Sequence, residues 1–170
     1  MAIVLDGNNL LTSGVLNSMT AQSASGTSVD FTGIPAGVKR VTVMYSGVST
    51  SSTSPLLIQL GTSGGITTTG YNQGGWYSTA AGGYNNTTAG FALMGTSYSQ
   101  ASNGFHGSYV FSLLGNNIWA GQGLFYVTTN VYYCLCAGSV SLSGALTTIR
   151  NTTNNGTDTF DAGTINVLYE

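Results

Sequence analysis

Charge is the scarcest property of this chain. Asp, Glu, Lys and Arg make up 5 % of its 170 residues, against about 25 % in an ordinary soluble domain. The bases are Lys39, Arg40 and Arg150, and the acids are Asp6, Asp30, Asp158, Asp161 and Glu170. Nucleic-acid affinity comes chiefly from bases that neutralise phosphates. Two adjacent bases and one distant one cannot track a phosphate backbone, so a nucleic-acid partner is excluded. An anionic membrane surface is excluded for the same reason. Solubility must rest on Ser, Thr, Asn, Gln and Gly.

Long apolar runs are missing too. No stretch approaches the ~20 apolar residues of a membrane-spanning helix, so no membrane insertion is expected. Met1–Leu5 is a short apolar run without the basic start of a signal peptide, which implies synthesis in the cytoplasm without export. Cysteine occurs twice, at Cys134 and Cys136. On a strand these share a face, with Cα atoms roughly 6.5–7 Å apart, at the limit of what a disulfide spans. They read as small buried hydrophobes. With His106 the single histidine, a four-ligand zinc site cannot be assembled. No metal and no cofactor is expected.

What the chain does have is glycine, 25 residues of it, between short apolar runs. Each interior Gly costs a helix about 1 kcal/mol, whereas apolar runs separated by Gly, Ser, Thr and Asn are the mark of strands and turns. The clearest strand is Lys39–Tyr45, where Val41, Val43 and Tyr45 alternate with Arg40, Thr42 and Met44. Ser28–Thr32 precedes it across a Gly33–Gly37 loop. Pro55–Leu60 reads as a strand buried on both faces. Further strands are expected at 89–94, 107–114, 117–120, 124–128, 131–142, 146–150 and 164–169. Asn116-Asn117, Asn154-Asn155-Gly156 and Asp161-Ala162-Gly163 are expected to be turns.

This pattern implies an all-β fold: a single antiparallel β-sandwich over residues 1–170, jelly-roll-like, with an N-terminal segment and first strand over 1–24. Residues 61–107, dominated by Gly, Thr, Ser, Asn and Tyr, read as long loops, and long loops in compact domains are usually functional.

Two stretches carry a family resemblance. The first runs from Ser25 through Val29-Asp30-Phe31-Thr32-Gly33-Ile34-Pro35 and Lys39-Arg40-Val41-Thr42-Val43-Met44. It continues through Ser46–Thr50, Pro55–Gly61 and Gly64-Gly65-Ile66. The second covers Leu142–Arg150 and Asn155–Glu170. Together they make up about half the chain, and they resemble a domain of tailed-bacteriophage virion proteins, most of them tail-fibre or receptor-binding proteins. The resemblance implies a place in the particle and brings no catalytic residues with it. It does not extend to residues 72–133. With the resemblance starting so near Met1, no shaft is expected ahead of the domain, which raises head decoration as an alternative to the tail.

Candidate contact residues lie in the loop region. Tyr among Gly, Ser and Asn is the mixture that binding loops favour, and aromatic faces suit the apolar faces of sugars. Tyr71, Trp76, Tyr77, Tyr84 and Tyr98 are therefore the expected contacts to a partner or receptor, and Trp119 is expected in the core. Lys39 and Arg40, adjacent on a strand, point to opposite faces. One is expected to pair with an acid such as Asp30, within the subunit or across a subunit interface. For catalysis the close carboxylate pair is Asp158 and Asp161, the type that cleaves glycosides, but Asp161 before Ala-Gly reads as turn chemistry. His106 has no Gly-x-Ser-x-Gly elbow to serve.

The sequence thus implies a non-enzymatic virion structural protein. The first reading is a homotrimeric tail-fibre or receptor-binding module that contacts host surface polysaccharide. The alternative is a head decoration protein that clamps capsid neighbours. A polysaccharide depolymerase is the weakest reading.

Overall fold

The computed structural model describes residues 15–78, 83–95, 99–129 and 131–170, and these hold strands and no helix. The strands are β1 Asn17–Ser18, β2 Gln22–Ser23, β3 Ser28–Thr32, β4 Arg40–Thr50, β5 Leu56–Thr62, β6 Gly65–Ile66 and β7 Asn72–Tyr77. They continue with β8 Gly83–Asn85, β9 Phe91–Ala92, β10 Phe105–Gly115, β11 Ile118–Val127, β12 Tyr132–Ser141, β13 Thr148–Thr153 and β14 Phe160–Tyr169.

They form two antiparallel sheets. The nine-stranded sheet runs β1-β14-β4-β10-β11-β12-β7-β8, with β2 also on β14. The five-stranded sheet runs β3-β13-β5-β6, with β9 on β5. The expected all-β sandwich is therefore the fold. Its core lies between the sheets, where Val41, Val43, Phe111, Phe125, Ile149, Ile165 and Val167 are fully buried. Each large apolar side chain buried this way contributes about 1.5–3 kcal/mol. β5 is buried along its whole length, as its unalternating apolar run requires.

An aromatic cluster links the two sheets. Phe91 on β9 packs against Tyr71, Phe111 and Tyr109 with ring centroids 5.0, 5.0 and 5.3 Å away. Tyr109 and Phe111, two apart on β10, stack at 4.5 Å. A polar link crosses the core as well. The Tyr45 hydroxyl on β4 donates to Asn151 Oδ1 on β13 at 2.8 Å, and Asn151 Nδ2 donates to the Val29 carbonyl at 3.2 Å. Satisfying a buried Asn in this way fixes the registration of one sheet over the other.

Several boundaries differ from the sequence reading, each for a physical reason. The strands expected at 117–120 and 124–128 are one, β11, because Gly121 and Gly123 are strand residues and not a break. A Cβ on Gly121 would lie 2.5 Å from Phe111, and one on Gly123 2.5 Å from Tyr109. The glycines let those rings lie against the sheet. Residues 61–107 are not one long loop, since β6, β7, β8 and β9 fall inside them, and β7 takes a full place beside β12 despite Gly74-Gly75. Asp161-Ala162-Gly163 is not a turn but a pair of register shifts within β14. Gly163 sits there at φ 93°, where a Cβ would meet the Gly47 carbonyl oxygen at 2.4 Å. The Asn116-Asn117 turn is as expected. It joins β10 to β11 as a two-residue hairpin with φ of 50° and 60°, the left-handed pair that a type I′ turn needs.

Candidate functional site

The two faces of the nine-stranded sheet follow from strand alternation. On β10, β11, β12 and β7 one parity faces the core: Tyr109 and Phe111, Phe125 and Val127, Cys134 and Cys136, and Tyr77. The other parity faces outward. Cross-strand register places Ser108, Leu124, Leu135 and Trp76 in one outer row, where Leu124, Leu135 and Trp76 are 54 %, 50 % and 40 % exposed. The next row on one side holds His106, Tyr126 and Tyr133, with Tyr126–Tyr133 centroids 5.6 Å apart. The next row on the other side holds Val110, Gln122, Ala137 and Gly74.

A tall row beside a small one makes a step. Along it lies a hollow of about 590 Å³, bounded by Trp76, Leu124 and Leu135 and floored by Gly74, Gln122 and Ala137. A second hollow of about 350 Å³ shares Val110, Gln122 and Ala137 and continues past Ser112 and Ala120. None of the residues lining either hollow is charged. Clefts that hold small ligands run to roughly 300–1,000 Å³.

The expected contact residues separate on this frame. Trp76 is on the outer face and stands in the wall of the hollow. Tyr77 is 3 % exposed, because consecutive residues of a strand point to opposite faces. It belongs to the core. Tyr71 is also a core residue, 2 % exposed. Its hydroxyl accepts from the Leu60 N–H and donates to the Thr67 carbonyl, both at 2.8 Å, so the one polar atom that could have faced a partner is used internally. The backbone of Tyr84 lies opposite Trp76 on β8. Tyr98 lies outside the described residues. Trp119 is buried at 2 % exposure, as expected.

Asp30 pairs with neither Lys39 nor Arg40. It takes Arg150, directly opposite on β13, through two bonds of 2.8 and 2.6 Å. That hydrogen-bonded pairing raises the Arg150 pKa further. Arg40 reaches Glu170 instead at 3.3 Å, and Lys39 is exposed. Both ion pairs lie within the chain, far in sequence and adjacent in register.

The candidates for chemistry are held in structural bonds. Asp158 accepts from the Ser54 N–H at 3.0 Å and from Asn155 Nδ2 at 2.7 Å, and Asp161 accepts from the Ser49 hydroxyl. His106 Nδ1 accepts from the Gly47 N–H at 3.2 Å. The cysteines are free and buried. Burial pushes the Cys134 thiol up to about 12 and Cys136 higher, which makes them poor nucleophiles. Among the described residues no three His, Cys, Asp or Glu side chains gather as metal ligands, and no helix is long and apolar enough to cross a membrane.

The sequence reading missed Leu124, Leu135, Tyr133 and Gln122. A signal was present in Tyr132–Ala137, where both parities are apolar or aromatic. Once the cysteines take the core face, Tyr133 and Leu135 must stand outside.

Comparison of the chain with protein-family models, with curated proteins and with solved structures gives no match.

Proposed function

We propose that this protein is a non-enzymatic structural component of a bacteriophage particle and that it contacts the host surface through the outer face of its nine-stranded sheet. The observation that carries this is the exposed row Leu124–Leu135–Trp76 beside an uncharged hollow. Contiguous apolar surface of this kind marks an interaction site. The resemblance at residues 25–66 and 142–170 supplies the particle. The scarcity of charge fits a chain that works while assembled, as a homotrimer, and not free in solution.

Head decoration is the second reading. The same row offers two half-exposed leucines beside Tyr133, apolar surface that a capsid neighbour could cover. Copy number in the purified particle separates the two: tens or fewer place the protein in the tail, hundreds on the head. Adsorption of the purified protein to host cells tests the receptor reading, and no adsorption at high protein concentration would sink it. Light scattering tests the trimer, which a stable monomer would contradict.

A further inference from the structure

We infer that the stepped hollow on the outer sheet face binds a neutral oligosaccharide, with one pyranose ring lying against Trp76 and its hydroxyls directed over the small-residue side of the step. The inference rests on the choice of working surface made above and names its ligand.

The two sides of the step differ in chemistry. The wall of Trp76, Leu135 and Leu124 is apolar, and Trp76 stands 40 % exposed with a glycine, Gly74, as its outward neighbour on the floor side of the strand. The floor is low and polar in part. Gln122 lies among Val110, Gly74 and Ala137, Ser108 ends the wall row beside Leu124, and Ser112 continues the polar side into the second hollow. A pyranose has the same division, with an apolar face of C–H groups and a rim of hydroxyls that both donate and accept. Ser and Gln side chains also do both, so they can pair with hydroxyls of either sense.

Charge then selects among sugars. None of the lining residues is ionised, and Lys39 is not among them; Arg40 and Arg150 are engaged by Glu170 and Asp30. A uronate or sialate would lose part of its hydration in the hollow and find no cation there, and an unpaired charge is costly to desolvate. The two hollows share Val110, Gln122 and Ala137, and the second continues along β10 and β11 to Ser112 and Ala120, so the depression is long enough to suit a chain of sugars over a single one.

The test uses the full-length protein and a panel of tetrasaccharides: neutral glucans, mannans and galactans set against matching chains that carry uronic or sialic acid. Affinities are measured by isothermal titration calorimetry, because Trp76→Ala removes the exposed tryptophan; in the wild type a change of fluorescence on binding is assigned to Trp76, since the other tryptophan, Trp119, is buried. The expected result is saturable binding of at least one neutral member, with less than twofold change between 50 and 500 mM NaCl. Trp76→Ala should weaken it at least tenfold, about 1.4 kcal/mol. Ala137→Arg, at an exposed position in the floor, should do the same without lowering the melting temperature. Binding confined to acidic members overturns the inference, as do unchanged affinities in both variants or no binding by any neutral member. If the protein adsorbs to host cells under those outcomes, the receptor reading stands and only the neutral-sugar site falls. If it does not adsorb either, both fall.

Discussion

Tyr109 stands directly opposite Gly123 across the β10–β11 pair, and its ring occupies the place where a side chain at 123 would begin. Phe111 stands in the same relation to Gly121. The glycines that look like breaks in the sequence are the places where the sheet receives its largest rings. On the other face β11 carries Leu124, and its neighbours β12 and β7 carry Leu135 and Trp76, so the aromatic packing inside supports the strands that bear the proposed contact surface.

Gly123→Ala should therefore destabilise the fold by about 1–3 kcal/mol, the usual cost of forcing atoms into a packed core. Gly64→Ala is the control, since a Cβ there meets only the Thr62 hydroxyl at an ordinary 3.5 Å. Urea denaturation should show a lower midpoint for the first variant and an unchanged one for the second. Equal midpoints would mean that the Tyr109 ring has room to move.

The β10–β11 hairpin rests on two left-handed asparagines. Left-handed backbone costs most residues roughly 1–2 kcal/mol each. Replacing Asn116-Asn117 by Ala-Ala should lower stability by about 2 kcal/mol, and Asn117→Gly should hold or raise it. Thermal melts of the two variants check the ranking, and an Ala-Ala variant as stable as wild type would contradict the turn assignment.

Burial pushes the Cys134 thiol and the Tyr71 hydroxyl up to about 12, and those of Cys136, Tyr45 and Tyr109 higher still. In the unfolded chain the thiols ionise near ~8.5 and the phenols near ~10. Above those values the unfolded state holds fewer protons than the folded one, so stability falls as pH rises, by about 1.4 kcal/mol per pH unit for each group that titrates only on unfolding. The stabilisation is complete below about pH 8. Denaturation midpoints should be level from pH 7 to 8, fall above 9 and fall more steeply above 10. In the native protein both thiols should resist a thiol reagent at pH 8, and both should react on unfolding.

Asp30 and Arg150 form a two-bond pair that is about one-third exposed on both sides. Solvent screening limits such pairs to roughly 0.2–1 kcal/mol. A double-mutant cycle with Asp30→Asn and Arg150→Met should give a coupling in that range that shrinks at 1 M salt. A coupling of zero would leave the pair a passenger of the β3–β13 register.

How far the sequence can be read depends on which residues speak for one face only. Alternation in Val41-Thr42-Val43-Met44-Tyr45 names both the strand and its inner side, and Asn116-Asn117 names its turn. Alternation also forbids Trp76 and Tyr77 from sharing a surface once Asn72–Tyr77 is a strand, but Gly74-Gly75 hides that strand. Local propensity is overridden there by pairing with β12. The candidate site was legible at Trp76 alone. Leu124 and Leu135 become surface residues only through cross-strand register, a long-range relation that no local pattern encodes. The partner of Asp30 is hidden for the same reason, since Arg150 is 120 positions away.

The most direct test of the outer face as the working surface is adsorption to host cells by the wild-type protein, Trp76→Ala and Leu135→Asp, with melting temperatures measured alongside. Both positions are half-exposed, so both variants should melt within a few degrees of wild type. Adsorption should fall at least tenfold in each. Variants that fold and adsorb as the wild type does would contradict the account and move the contact surface elsewhere on the sandwich.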